Sequence, residues 1–535
     1  MSTARASRLR LGAGGLAAAL LIALLGIWSP GAALGRGAAR GLTQAQAEQI
    51  GLDAYVYGIP LMEFVRQART QTSVTVPNAL SDAPLNQLGN ARQLASASHQ
   101  VIVQPNLDTL YSMAHLDLAR GPLVLHVPAV AHHRYYSFQF LDPYTNAFHY
   151  IGTRTTGDGA GTFVIVGPRF RGRLPRGLRR IRSPYDRAWL VGRTLVYGPA
   201  DLAAVHRIQD GYRLLPLAAY LRHGLRWRPP RPHRVITRHT SHAIPTGLAY
   251  FDQLGTALAQ NPPPARDAAI LRELRRVGVG PGLHPSREHL SAAILAGLRQ
   301  AAAGGPAYIF SLRTKVAAAS VLAHDGWVVP RRDLGNYGTD YTYRAVVAVY
   351  GLAANRLAEA MYIIGATDPA HQLLSGTHDY VIHFAAGQLP PTRYFWSLTM
   401  YDQNFYLVPN ALHRYALGSH TAGLQRNPDG SLDIYLQHTA PASHVSNWLP
   451  APAGTFEVTL RLYGPLPSAL HGRYVYPPIL RVVPPPLPAR DGGVGRYRPG
   501  SRWGPTLGGR APGSRRARVG HREAATRRGR GPASS

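Results

Sequence analysis

A β-type phrase, RYYSFQFLD at 134–142, returns in the last third of the chain as RYFWSLTMYD at 393–402. Each alternates large apolar with polar residues, as a strand with two unlike faces does, and each runs into an Asn-containing turn. Runs of the same kind surround both. LVLHVP, AFHYIGTR and GTFVIVGP lie between 101 and 166, and YVIHF, LDIYLQH and FEVTLRLYG follow His378, with Gly, Pro and Asp turns between them. Many short strands with such punctuation suit a sandwich or jelly roll. Between the two groups the pattern is helical, at Ala200–Gly224, Ala265–Val277 and Ser286–Ala303. The predicted fold is multi-domain α+β, with two antiparallel, jelly-roll-like β-sandwich domains and a helical middle segment.

A chain of 535 residues exceeds what one core supports. The predicted boundaries are a β-sandwich over 41–198, the helical segment over 199–330, and a second sandwich over 331–485. Residues 1–35 read as a signal peptide or N-terminal anchor: Arg5, Arg8 and Arg10 precede an apolar run, Leu11 to Trp28, and small residues follow at Ala32, Ala33 and Gly35. Residues 486–535 are rich in Arg, Gly and Pro with almost no aliphatics, which predicts disorder. The absence of cysteine removes disulfides, thiolate metal sites and cysteine nucleophiles. The expected location is exported, periplasmic or cell-envelope associated, with membrane contact only through the N-terminal segment.

The net charge of +31 raises the question of nucleic acid. Lys315 is the one lysine, every other fixed cation is Arg, and no DNA- or RNA-binding motif accompanies them, which argues against that partner. The Arg-rich tail leaves polyanion binding as one reading.

Other phrases carry a resemblance. AYVYGIPL, QPNLDTLYS, HLDLARGPLVLHVP and RYYSFQFLDPYTNAFHYIGTRTTG resemble the family called domain of unknown function 1254. GTDYTYRAVVAVYGLAAN, FWSLTMYDQNFYLVPNALHRYALG, NPDGSLDIYLQH and NWLPAPAGTFEVTLRLYGP resemble its usual companion, domain of unknown function 1214. The resemblance implies an exported or envelope-associated bacterial protein with β-sandwich domains. It implies no agreed reaction and transfers no catalytic residue.

The polar candidates cluster early. Asp108, between Asn106 and Thr109 and near Tyr111, is a candidate acid, base or ligand-binding carboxylate, and Tyr111 its candidate partner; the same spacing also builds an Asx turn. Tyr55, Tyr57, Asn106 and Arg134 are candidate ligand contacts, phenols offering a flat face plus a hydroxyl and Arg134 a charge for an anion. Asn106–Tyr111 has a possible echo at Gly338–Tyr341. Asp379 and His383 share a strand parity, but no metal-ligand spacing accompanies them, and no nucleophile elbow, phosphate loop or dinucleotide fingerprint occurs. No cofactor and no metal are expected. The leading reading is an extracytoplasmic protein binding a glycan polymer or small molecule between β-sandwich domains. The competitor is a hydrolase or lyase acting on a glycan through Asp108 or Asp142 with tyrosines, which needs a second facing carboxylate.

Overall fold

The computed structural model describes residues 41–98, 104–130, 134–319 and 325–482. The leader at 1–35 and the tail at 486–535 lie outside the described residues. The fold is α+β, and all the described residues belong to one compact unit.

The first half contributes nine strands: β1 (Gly89–Asn90), β2 (Thr109–Asp117), β3 (Leu123–Val127), β4 (Tyr136–Leu141), β5 (Ala147–Gly152), β6 (Gly161–Val166), β7 (Arg179–Arg182), β8 (Arg187–Leu195) and β9 (Arg213–Pro216). They form a five-stranded sheet, β1-β2-β8-β4-β5, and a four-stranded sheet, β7-β6-β3-β9. The second half contributes β10 (Trp327–Val328), β11 (Ala360–Gly365), β12 (Tyr380–Phe384), β13 (Thr392–Asp402), β14 (Ala416–Gly418), β15 (Leu432–Gln437), β16 (Trp448–Pro450), β17 (Phe456–Pro465) and β18 (Ile479–Arg481). Their orders are β10-β11-β17-β13-β14 and β16-β15-β12-β18.

Adding nine to each strand number of the first half reproduces the second half. Even the single parallel pair recurs, β6 with β7 and β15 with β16, amid otherwise antiparallel ladders. The recurring phrase marks one such pair of strands, β4 and β13. Ser137 of β4 stands opposite Arg193 of β8 and Gly152 of β5; Ser397 of β13 stands opposite Arg461 of β17 and Gly418 of β14. Tyr111 faces Arg193 as Tyr362 faces Arg461. The turns after the phrases match as well: Asp142 Oδ1 accepts the amides of Tyr144 and Asn146, and Asp402 Oδ1 those of Asn404 and Tyr406. By this register the counterpart of Asp108 is Glu359, immediately before β11. The phrase Gly338–Tyr341 is something else, because Asp340 caps the helix α7 (Tyr341–Tyr350) through the Tyr343 amide.

In each half the two sheets share one apolar core. Leu116, Phe138 and Leu190 of the first five-stranded sheet pack with Leu125, Phe163 and Ile165 of its four-stranded neighbour. Leu398, Leu460 and Leu462 do the same with Ile382, Ile434 and Ile479. The sheets stay open and none closes into a barrel. The segment read as helical at 199–330 also holds β9, which pairs with β3 and so completes a sheet of the first half.

A separate helical core lies beside the sheets. Helix α1 (Gln44–Gln71) starts on a capping box between Thr43 and Gln46, and packs on α4 (Leu248–Gln260), α6 (Ala292–Ala319) and α7. Gly58 and Pro60 predict a break in α1, yet the helix runs through both. A side chain at Gly58 would strike Leu254 of α4, so glycine is needed there for close helix contact rather than for a bend. Three shorter helices, α2 (Leu202–Gly211), α3 (Leu217–His223) and α5 (Ala268–Arg275), and a last turn α8 (Pro467–Leu470) complete the described set. No described helix is long and apolar enough to cross a membrane.

Candidate functional site

The halves contact each other reciprocally, as the two subunits of a symmetric dimer do. Ser397 of the second half donates to Asp108 Oδ2 at 2.6 Å, and Tyr135 of the first half donates to Glu359 Oε1, the counterpart carboxylate, at 2.8 Å. The buried arginines follow the same rule. Arg461 Nη2 reaches across to the Gln104 carbonyl at 3.1 Å, and Arg193 Nη2 to the Ala353 carbonyl at 2.9 Å.

Between these contacts is a cavity of about 360 Å³. Its polar lining holds both register pairs, Tyr111 with Arg193 and Tyr362 with Arg461, together with Asn106, Thr459 and Tyr463. Val316 of α6 and Val346, Val347 and Tyr350 of α7 supply an apolar wall, and Arg313 stands beside them, ion-paired to Glu457 at 2.8 Å. Among the described residues, no Asp, Glu or His lines the cavity.

Arg193 is 5% exposed and Arg461 2%. Arg193 donates to Gln139 Oε1 at 2.9 Å and lies 5.6 Å from the Tyr111 ring centre. Arg461 donates to Thr399 Oγ1 at 2.7 Å and to the Tyr401 phenol at 2.6 Å. None of these hydrogen-bond acceptors is a carboxylate; the Asp108 carboxylate acts on Arg461 through its charge rather than as one of these acceptors. Such burial is costly unless a counter-charge arrives. Arg461 Nε and Thr459 Oγ1, both buried, have no hydrogen-bond partner among the described residues. Burial holds the phenol of Tyr463 well above its ordinary value, so it stays a hydrogen-bonding group and is no base at neutral pH.

The candidate residues divide. Tyr111 lines the cavity, and so does Asn106, whose Oδ1 accepts the Asp108 amide at 2.6 Å and whose Nδ2 donates to Tyr463. Asp108 borders a neighbouring pocket of about 480 Å³ with Tyr197, Trp396 and His420. Burial pushes its carboxyl up, while the Ser397 hydroxyl and the Arg461 charge pull it back. Tyr55 and Tyr57 belong to the helical core. Tyr55 stacks on Tyr250 at 4.4 Å, and Tyr57 donates to Asp267 Oδ2 at 2.9 Å. Arg134 is taken up by Asp201, with Nη2 to Oδ1 at 2.8 Å, and its guanidinium lies 4.5 Å from the Tyr197 ring centre. His383 pairs with Asp433 at 2.6 Å.

Arg193 and Arg461 are the residues that reading the sequence passed over. Each is a lone charge inside an apolar strand, WLVGRTLV and VTLRLY, where a charge is expected only if something fixes it.

Comparisons with known proteins match the two halves separately. A model of the family "Protein of unknown function (DUF1254)" matches residues 85–216, which spans β1 to β9. A model of "Protein of unknown function (DUF1214)" matches residues 359–467, from Glu359 through β17. No curated relative matches the chain. Among solved structures, the chain is similar to the VPA0106 protein from Vibrio parahaemolyticus, at 22% identity and a TM-score of 0.58, over 82% of this chain and 100% of that one. It also matches an uncharacterized protein from Burkholderia cenocepacia at 15% identity and a TM-score of 0.38, over 82% of this chain and 94% of that one.

Proposed function

We propose that this chain, which belongs to the family joining a DUF1254 region to a DUF1214 region, is a binding protein that holds a small amphipathic anion between its two β halves. The observation that carries the reading is the pair of buried guanidiniums, each hydrogen-bonded to neutral acceptors, in a cavity with a broad wall of aliphatic and aromatic groups and no lining carboxylate among the described residues. Guanidinium suits carboxylate because its fork matches two oxygens at once. The apolar wall calls for an aliphatic or aromatic body, and about 360 Å³ lies toward the small end of ligand pockets. A glycan is less well served, since its many hydroxyls would face valines. Glycosidic hydrolysis has no support here, because among the described residues no carboxylate lines the cavity and Asp108 is the one carboxylate bordering the second pocket.

Each half is read as a β-sandwich of jelly-roll kind, supported by the core its two sheets share. The protein is placed outside the cytoplasm on the strength of its leader-like first 35 residues and its lack of cysteine. Polyanion binding by residues 486–535 rests on their arginines alone, and deleting them tests it.

Thermal shift with paired ligands tests the cavity. Naphthoate and octanoate should raise the melting temperature, and the corresponding amides should not. Arg193→Gln and Arg461→Gln should each weaken carboxylate binding at least tenfold, since a charge-assisted hydrogen bond is worth about 1.5–3 kcal/mol. Val347→Trp, which adds bulk to the apolar wall and keeps both arginines, should abolish binding in a folded protein. Equal stabilisation by acid and amide would sink the reading.

A further inference from the structure

The outer side of the first four-stranded sheet is crossed by two segments, 168–178, which leads into β7, and 217–228. Their apolar residues point inward: Phe170, Leu174, Tyr220 and Trp227 pack on Val124, Val164 and Leu215. Their arginines are left outside. Five between Arg171 and Arg182 are exposed there, and Arg222, Arg226 and Arg228 join them, while Arg179 lies over the Phe163 ring on the other face. Neither segment contains an Asp or Glu.

Backbone carbonyls hold several of these side chains without neutralising them. Arg171 and Arg182 donate to the Pro168 carbonyl at 3.2 and 2.9 Å, and Arg228 to the Trp227 carbonyl at 2.9 Å. Burial first, and then the charge of Arg228, holds Arg213 of β9 below the ordinary guanidinium value, a sign of crowding by like charge. Within this field Leu221, beside Arg222, is 57% exposed, and Trp227 is half-buried. A basic face with protruding apolar side chains differs from one that tracks a polymer of phosphates. The leucine contributes nothing to a phosphodiester chain, but it gains by entering the boundary between headgroups and acyl chains.

We infer that this face docks on a lipid surface bearing anionic headgroups. The guanidiniums spread over lipid phosphates, and Leu221 enters the interface between them. The cavity has no part in this contact, so a protein that docks need not have its ligand bound.

Vesicle sedimentation with the full chain tests the inference. Vesicles of phosphatidylglycerol and phosphatidylcholine should bind the protein, less so as salt rises, and vesicles of phosphatidylcholine alone should not. The triple variant Arg171→Gln/Arg173→Gln/Arg176→Gln keeps every other arginine of the chain. It should partition about a hundredfold less, at roughly fivefold per guanidinium removed. Leu221→Ser should weaken vesicle binding and leave any heparin binding unchanged. Circular dichroism confirms that both variants fold. Three results overturn the inference: a triple variant that partitions like the wild type, equal binding to uncharged vesicles, or binding to duplex DNA and heparin with none to anionic vesicles.

Discussion

Arg193 and Arg461 explain why two strands of this chain carry a charge where aliphatic residues would pack better. Each is hydrogen-bonded to neutral groups, and under the proposed function an anion in the cavity supplies the counter-charge. His115 is a buried group of the opposite kind. It stacks on Trp189 at 5.4 Å and meets Gln71 Oε1 of α1 at 2.8 Å. Burial first, and the Arg187 charge second, push its imidazole down to about 3. In the unfolded chain it titrates near 6.5. Between those values the unfolded chain holds the extra proton. The stabilisation is therefore whole above about pH 6.5 and is lost as pH falls toward 3, by at most about 1.4 kcal/mol per pH unit. Asp142 opposes this: burial raises its carboxyl to about 6, so its effect on stability falls as pH rises through that range. Comparing the wild type with His115→Gln at the same pH isolates the histidine. The variant should be less stable at pH 7.5 and should show a shallower loss of urea midpoint down to pH 4.5. Parallel curves would show that the ring does not titrate with unfolding.

The strands visible in the sequence were those bounded by clear turns or carrying polar residues at alternate positions, such as β4, β6, β13 and β15, although β4 is buried on both faces. β8 was passed over because its residues from Ala188 to Leu195 are all buried, so no alternation marks it. The same burial hid Arg193, whose importance appears only when β8 is laid beside β2 and β4. Asn106 and Tyr111 were legible because a turn former and a phenol stand together before a strand. Tyr55 and Tyr57 gave a similar local signal, but their partners lie in α4, in Asp267 and in α7, far away in sequence. Duplication of the elements also makes a prediction. A Cβ on Gly152 would lie 2.3 Å from the Tyr136 carbonyl oxygen, and one on its counterpart Gly418 2.3 Å from that of Trp396. Gly152→Ala and Gly418→Ala should each destabilise by about 1–3 kcal/mol in urea melts, because in both the clash is with backbone that cannot yield. A neutral result at either position would mean that β5 or β14 is free to shift.

At the scale of the whole molecule, each half completes buried polar groups of the other, through Arg193 and Ala353, Arg461 and Gln104, and Tyr135 and Glu359. Calorimetry should therefore show one unfolding transition for residues 41–482, with calorimetric and van't Hoff enthalpies in agreement. Two resolved transitions would mean that the halves are independent. Residues 85–216 expressed alone should be unstable, because Arg193 would lose the Ala353 carbonyl that helps to solvate it. The reciprocal seam has one more consequence, for the bound molecule. In a cavity of perfect twofold symmetry, a ligand could sit in either of two opposite directions with equal energy. Here Gln139 stands where the other half has Thr399, and among the described residues the wall of α6 and α7 has no copy across the seam. The two directions are therefore unequal, and a carboxylate entering this protein has a definite heading.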